Sequence, residues 1–280
     1  MVLEAERLVE GAVPLASLPM LYYQVSEAVE DPETSFMEIG DIISQDSALT
    51  ARLLRIVNSS FFGFSSKVET ITHAVTIVGM LQLRDLVLAT TIIGYFRGLP
   101  KNVVNMESFW RHSIASGLAA RVIAIYRKEP NPERFYVCGL LHDLGRLLLF
   151  MAIPEDMKRT LEKYLGGGQL LFEAERDVLG LDHAEVGGAL LKKWKLPSHL
   201  ADAVRLHHQP SEAPEESVEP AITHLADIIA HSLQLGSSGE RYVPPLDSQA
   251  WEKIGLPSHL LPAILNQVDQ QSANTVQMFL

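Results

Sequence analysis

Apolar residues recur at intervals of three and four through most of this 280-residue chain, and that spacing limits the possible folds more than any other feature. Leu49, Leu53 and Val57, for example, form one stripe of an amphipathic helix that the Asn58–Ser60 stretch and Gly63 then end. No stretch shows an alternating strand and helix pattern, and there is no internal repeat or heptad array. The sequence therefore predicts an all-α fold, a helical bundle.

Breaker residues divide the rest of the chain into further helices. The apolar stretch 72–96 is predicted to be helical, and Asn131-Pro132 is typical of the start of another helix, "NPERFYVCGLLHDLGRLLLFM". Gly180, Pro197 and Pro210 delimit three pieces beyond it. We take Gly98–Asn105 as the boundary between an N-terminal helical lobe, residues 1–100, and a C-terminal helical lobe, residues 101–280.

Composition narrows the class of partner and the compartment. A net charge of −11 disfavours general binding to the negatively charged phosphates of nucleic acid, so the expected partners are proteins or small molecules. The single cysteine, Cys138, forms no internal disulfide and fits a reducing cytoplasm. The N-terminus lacks the basic start of a signal peptide, and no apolar run approaches the roughly 18 residues of a spanning helix, so we expect no membrane association.

Histidine and aspartate side chains within apolar helical stretches carry the chemical signal. A charged carboxylate is costly in such surroundings unless something compensates it. One arrangement that would do so is a divalent cation held by imidazole and carboxylate groups, which suit iron, manganese, zinc, cobalt or nickel. The candidate ligands are His112, His142, Asp143, His183, His207, His208 and Asp227.

Two interpretations of this set remain open from the residues themselves. In the first, a bridging aspartate holds two ions roughly 3.5–4 Å apart, an arrangement suited to phosphohydrolysis. In the second, the set is a polar core without metal, in which His142 and Asp143 bond each other and neighbouring backbone. Sequence spacing does not establish that these segments meet in space.

The order His112, then His142-Asp143, then Asp227 resembles the H…HD…D signature of the HD superfamily of metal-dependent phosphohydrolases. His183 and the pair His207-His208 are similar to the additional histidines of its HD-GYP branch. The resemblance implies a first metal site formed by the four signature residues, with Asp143 bridging, and a second site formed by the additional histidines. It also implies a dinuclear centre of iron, manganese or nickel rather than zinc.

The N-terminal half resembles the HDOD domain, the HD-related output domain of bacterial signalling proteins. The matching elements include Leu18-Pro19, Gln45-Asp46, Asn58-Ser59 and Gly79, and the resemblance runs from about Pro14 to Pro210. It implies an N-terminal helical lobe packed on an HD-like lobe. It also implies a regulatory module of signal transduction, whose partner is a signalling protein or a nucleotide second messenger.

Two departures from the HD-GYP pattern bear on activity. After His207-His208 the chain continues with Gln209-Pro210 instead of the Gly-Tyr-Pro loop that contacts the dinucleotide, and Ser108 stands where some members use a glutamate, so a third metal is not expected. Arg146 matches the basic residue after the HD pair and is a candidate phosphate or ligand contact. We therefore expect a metal-binding regulatory module, with a metal-dependent phosphohydrolase acting on a cyclic dinucleotide or another phosphodiester as the alternative.

Several other residues have simpler interpretations. Asn58-Ser59 is predicted to cap a helix, and Trp110 and Trp194 are predicted to lie in the core. The remaining histidines match no ligand position and are expected to be surface or capping residues. They are His73, His199, His224, His231 and His259.

Overall fold

A computed structural model describes residues 4–11, 18–96 and 105–280. Within these residues the secondary structure is helical and contains no strand, which confirms the predicted all-α class. The α-helices are α1 (Ala5–Gly11), α2 (Met20–Glu30), α3 (Phe36–Ser44), α4 (Ser47–Val57), α5 (Ile71–Val78), α6 (Met80–Phe96), α7 (Met106–Arg127), α8 (Pro132–Leu141), α9 (Leu144–Ala152), α10 (Pro154–Leu165), α11 (Leu171–Leu179), α12 (His183–Lys193), α13 (Ser198–Arg205), α14 (Glu219–Ser232), α15 (Ser248–Ile254) and α16 (Leu261–Phe279). Short 3-10 turns cover Pro210–Glu212 and Ser258–Leu260.

Local sequence sets the ends of the first helices. Asp46 begins α4 because its carboxylate accepts the backbone N–H groups of Ala48 and Leu49, as the Gln45-Asp46 pair predicted. At the other end, the Asn58 side-chain amide donates to the carbonyls of Leu54 and Val68, each at 2.7 Å, which confirms its capping role. The predicted helix over 72–96 is divided by a sharp bend between α5 and α6.

The apolar stretch 132–152 departs from the sequence expectation in two ways. It begins at Pro132 as predicted, but the helix is interrupted by a turn at His142 and Asp143, which lie between α8 and α9. It is also long and apolar enough to match a membrane span, contrary to our reading of the sequence. Because 89% of that window is buried inside the protein, the stretch is a core element.

Helix α7 is the centre of the C-terminal half, and α8, α14 and α16 pack around it. Its contact with α8 is close because Gly139 faces the backbone of Ser116, where an added Cβ would lie 2.6 Å from the Ser116 carbonyl oxygen. Trp110 on α7 and Trp194 after α12 are buried, as predicted for core residues. Four polar residues of α7 are buried in this part of the protein: His112, Ser113, Ser116 and Arg121.

A continuous apolar cluster joins the two halves of the chain. It includes Leu53 and Leu86 from the N-terminal half together with Leu140 and Leu148 from the C-terminal half. Helix α16 also contacts both α4 and α7. The boundary proposed at Gly98–Asn105 falls, apart from Asn105, outside the described residues.

Candidate metal centre

Five separate segments bring the predicted ligands together. His112 lies on α7, His142 and Asp143 in the turn between α8 and α9, and His183 at the first position of α12. The remaining ligands are His207 and His208, which follow α13, and Asp227, which lies on α14. Their donor atoms fall into three groups within which the atoms lie within 4.8 Å of one another; two groups share His112, and the third contains His183, His207 and His208. Asp143 links the third group to the others, because its Oδ1 is 2.9 Å from His183 Nε2. The segments that the sequence could not connect therefore meet around one centre.

Asp143 lies between two groups of imidazoles. Its Oδ2 is 3.1 Å from His142 Nε2 and 3.5 Å from His112 Nε2, whereas its Oδ1 is 2.9 Å from His183 Nε2. The turn between α8 and α9 places the carboxylate there, because neither helix continues through it. A carboxylate that presents one oxygen to each side has the geometry of a bridging ligand.

Backbone carbonyls fix the orientation of two of the rings. His142 Nδ1 is 2.7 Å from the Gly139 carbonyl oxygen, and His207 Nδ1 is 2.7 Å from that of Val204. A carbonyl only accepts, so each Nδ1 carries the proton and donates it. When the ring is neutral, Nε2 then presents a lone pair to the centre, as a metal ligand requires.

A buried carboxylate fixes the orientation of a third ring, that of His183. Glu175, on α11, lies 2.6 Å from His183 Nδ1 through Oε2, and that oxygen also accepts the His183 backbone N–H. His183 Nε2 therefore points to His207 Nε2 at 3.3 Å and to His208 Nε2 at 3.0 Å. Carboxylate–histidine pairs of this kind orient metal ligands, and no sequence pattern indicated Glu175 as such a partner.

Arg146 lies inside the centre with protein partners on every side. Its guanidinium donates to Glu175 Oε1 at 3.1 Å and to Ser238 Oγ at 2.6 Å, and it lies 3.3 Å from Asp143 Oδ1. The residue is only 2% exposed. A ligand would have to displace Ser238 or enter the closed centre to reach it.

His231 is a second residue that the sequence analysis missed. It lies one turn after Asp227 on α14, its Nε2 is 3.3 Å from Asp227 Oδ1, and its ring centroid is 4.4 Å from that of His112. The expectation that it is a surface or capping residue was therefore wrong. The signal was available, because residues four apart lie on one face of a helix.

The other histidines lie away from the donor groups. His224 is buried, donates from Nδ1 to the His207 carbonyl at 2.8 Å, and accepts the Asp247 N–H at Nε2 at 3.0 Å. Both of its nitrogens are thus occupied, and it supports the backbone of His207. His73 and His259 are exposed, as expected, whereas the expected surface position is wrong for the buried His224.

Charge in the centre is distributed between carboxylates and a subset of rings. Burial would raise the pKa of Asp143, but Arg146 and His142 outweigh it, and the pKa lies well below its usual range. Burial lowers the pKa of His142, yet the negative charges of Asp143 and Asp227 outweigh it and raise the pKa to about 10. Burial drives the pKa values of His207 and His208 well below the ordinary value. The carboxylates of the centre therefore favour the charged form of the His142 ring, whereas burial favours the neutral form of His207 and His208.

Several buried polar atoms at the centre lack hydrogen bonds. They are His112 Nδ1 and Nε2, His142 Nε2 and Asp227 Oδ1. Buried polar atoms are nearly always paired, so such a concentration at one place needs a physical account. A cation among the Nε2 and carboxylate atoms would bind all of these except His112 Nδ1. The donor set therefore fits a divalent metal ion.

The centre is largely shielded from bulk water, although His208 and His231 are only partly buried. The ligand side chains of Asp143, His112 and His142 are at most 3% exposed, and those of Asp227 and His231 are 6% and 8% exposed. On the opposite side, the ring of Phe172 stacks on His208 with a centroid separation of 4.0 Å. An ion could be enclosed here, whereas a large ligand would require the surrounding side chains to move.

Comparison with known proteins identifies one family. The family model of the HDOD domain matches residues 15–210. An uncharacterized protein of Treponema pallidum (strain Nichols) is 30% identical over 225 residues, which is 76% of this chain and 41% of that protein. The chain thus spans less than half the length of that relative.

Solved structures share the fold at low sequence identity. An HDOD domain protein of unknown function from Geobacter sulfurreducens superposes with a TM-score of 0.77 and 24% identity, over 97% of this chain and 98% of that one. A protein from Shewanella amazonensis SB2B, named provisionally as a metal-dependent phosphohydrolase, has a TM-score of 0.69 and 21% identity, over 99% of both chains. These two likenesses establish a common fold, which is the fold predicted.

Proposed function

The chain belongs to the HDOD family, and from that premise we propose that it is a regulatory module whose C-terminal half encloses two divalent metal ions. His112, His142 and Asp227 would hold one ion, His183, His207 and His208 would hold the other, and Asp143 would contribute to both sites. The observation that carries the proposal is the convergence at one centre of mostly buried donor atoms, several of which lack hydrogen bonds.

The donor set also bears on the identity of the metal. Five imidazoles and two carboxylates favour iron, manganese or nickel over zinc, because these ions accept higher coordination numbers than the tetrahedral sites typical of zinc.

The module acts in the cytoplasm. Its partner is a signalling protein or a nucleotide second messenger, since the net charge of −11 disfavours general binding to nucleic acid.

Enclosure of the ions supports regulation in preference to turnover. A phosphodiester as large as a cyclic dinucleotide would need an open face beside the ligands, and the ligand side chains of both groups are largely buried. The guanidinium of Arg146, the candidate phosphate contact, already donates hydrogen bonds to Glu175 and Ser238. An ion in this position would stabilise one arrangement of α7, α9, α12 and α14. A partner that binds this arrangement would then bind more tightly when the ion is present.

The experiment measures metal content, stability and turnover on the same preparation. We expect plasma mass spectrometry to find close to two ions per chain, chelator to lower the melting temperature, and cyclic dinucleotides and bis(p-nitrophenyl) phosphate to remain intact. A folded protein that contains no metal and takes up none after chelation and dialysis would refute the proposal.

The second candidate is a metal-dependent phosphohydrolase, and the two-sided approach to Asp143 favours it. The residues around Asp143 would hold two divalent ions, which would supply Lewis acidity for hydrolysis of a phosphodiester. The chain's own contribution would be to hold the ligands, through Glu175 and the carbonyls of Gly139 and Val204. Turnover of a cyclic dinucleotide by the metal-loaded protein, abolished by His142→Ala, would establish this function and exclude a purely regulatory one.

A further inference from the structure

Asp227 Oδ1 is crowded by three imidazoles. His112 Nε2 is 3.0 Å away, His231 Nε2 is 3.3 Å away and His142 Nε2 is 3.4 Å away. A carboxylate oxygen has two lone pairs, so it does not accept three good hydrogen bonds at once. In fact it accepts none with acceptable geometry.

The spacing of these atoms is that of ligands around a common ion. Donor atoms bound at about 2.1 Å lie roughly 3.0 Å apart at right angles and about 3.4 Å apart at tetrahedral angles. The three contacts to Asp227 Oδ1 fall within that range. Crowding without hydrogen bonds is therefore explained by shared coordination.

We propose that His231 is a direct ligand of the ion held by His112, His142 and Asp227, outside the seven positions predicted from the sequence. This inference rests on the proposed function, since it requires that an ion binds there. His231, Asp227 and His112 present donor atoms within 4.8 Å of one another. The helical spacing of α14 supplies both Asp227 and His231 from one face.

The additional ligand changes what that ion can do. With His231 the ion has three nitrogen donors and, counting Asp143, two carboxylate donors, so an octahedral ion keeps only one position for water or a ligand. His231 is also the most exposed side chain of its group, at 8%. It therefore closes the side of the ion that faces solvent, and its departure would open that side.

A simple hydrogen bond from His231 to Asp227 is the competing explanation, and two substitutions separate it from coordination. His231→Ala removes both roles. His231→Gln keeps an N–H donor for Asp227 and much of the volume, but an amide is a far weaker metal ligand than an imidazole. His259→Ala, at an exposed position remote from the centre in sequence, is the matched control.

The test is a titration of the 280-residue, metal-stripped protein with cobalt(II), followed by calorimetry and by the visible spectrum of the bound ion. We expect the wild type and His259→Ala to bind two ions. Both His231 variants should bind one ion with unchanged affinity and the other at least tenfold more weakly. Loss of a residue that only orients a metal ligand lowers metal affinity about 10–100-fold, and loss of the ligand itself should lower it at least as much. The visible spectrum of the weakened ion should change.

The outcomes distinguish the two levels of the argument. If the wild type binds no cobalt, the proposed function itself fails. If the wild type binds two ions and His231→Gln retains both affinities and the wild-type spectrum, His231 is only a hydrogen-bond partner and the inference is overturned. Circular dichroism of each metal-free variant establishes that it is folded before titration.

Discussion

The interior of the N-terminal helices and the metal centre are both buried, but they are stabilised in opposite ways. Around α4 the buried side chains are apolar, among them Leu53, Ile56 and Val57. Around Asp143 they include several charged or polar groups, such as His142, Arg146 and His183, and each of these depends on particular partners. Apolar burial is non-directional, so any well-packed side chain contributes, whereas a buried carboxylate stabilises the fold only when its partners are in place.

This difference decides how each region responds to change. Removal of apolar atoms costs the lost transfer free energy and the cavity left behind, and the cost stays local. Removal of one charged group from the centre leaves its partners uncompensated and affects every ligand that shares them. The predictions below, in order of decreasing effect, test that contrast.

The largest effect is expected for Asp143→Asn. This change removes the carboxylate that both groups of imidazoles approach, so neither ion should remain bound. At free metal 100 times the dissociation constant, each ion stabilises the fold by about 2.7 kcal/mol, so loss of two costs about 5 kcal/mol. Thermal unfolding with and without chelator, together with metal analysis, measures this loss.

The control for that variant is Asp177→Asn, at an exposed carboxylate that pairs with Lys163 at 2.8 Å. Exposed pairs contribute about 0–1 kcal/mol, and chelator should still lower the melting temperature of the control. A chelator-dependent shift in Asp143→Asn as large as that of the wild type would contradict the assigned role.

The second effect is expected for Leu53→Ala, in the apolar region. Leu53 is fully buried on α4, so its truncation should lower the free energy of unfolding by about 2–5 kcal/mol. Metal content should not change, because the cavity lies outside the centre. Urea denaturation and metal analysis test both statements, with exposed Met37→Ala as the control. Loss of metal from the folded Leu53→Ala protein would show that the regions are not independent.

A smaller effect is expected for Glu175→Gln. The amide still accepts from the His183 N–H groups but carries no charge, so His183 is held less firmly. Loss of a carboxylate that orients a metal-binding histidine lowers metal affinity about 10–100-fold, which corresponds to about 1.4–2.7 kcal/mol. Calorimetric titration should find one weakened ion and one unchanged ion. Glu173→Gln, exposed on the same helix, is the control, and equal affinities in both variants would exclude the orienting role.

The smallest effect concerns His199, a partly buried histidine on α13 outside the donor groups. Burial lowers the pKa of His199, although the negative charge of Glu219 opposes this shift. His142 behaves in the opposite way, because the carboxylates of the centre raise its pKa. The unfolded chain therefore binds a proton at His199 more readily than the folded chain, and stability is lost as the pH falls below about 6.5.

His199→Gln should remove that part of the acid sensitivity. Free energies of unfolding at pH 7 and pH 5, measured in chelator, should differ less in this variant than in the wild type. His73→Gln, at an exposed position, should behave like the wild type. The same pH dependence in all three proteins would contradict the burial of His199 as its cause.

Local patterns sufficed to predict the helical class and many helix ends. Asp46 and Pro132 begin helices because their side chains satisfy or remove backbone N–H groups, which is a property of a few adjacent residues. The apolar stripe of Leu49, Leu53 and Val57 is likewise buried as its spacing indicated.

The centre was predictable only in part, since it depends on contacts between distant segments. The resemblance to the HD pattern supplied seven candidate residues that the fold brings together, but not His231 or Glu175. Glu175 lies eight residues before His183, and only the turn between α11 and α12 brings it back to that ring. The interruption of the helix at Asp143 was missed because an apolar run does not reveal where a helix stops.

The crossing of α9 and α12 has one further consequence. A Cβ on Gly145 would lie 2.1 Å from the His183 carbonyl oxygen and 2.4 Å from the Gly187 nitrogen, so main chain rests directly on main chain. The separation of Asp143 from His183 is thereby set by rigid backbone, which has no rotamers with which to adjust. Even one methyl group at position 145 would act as a spacer that drives the two halves of the centre apart.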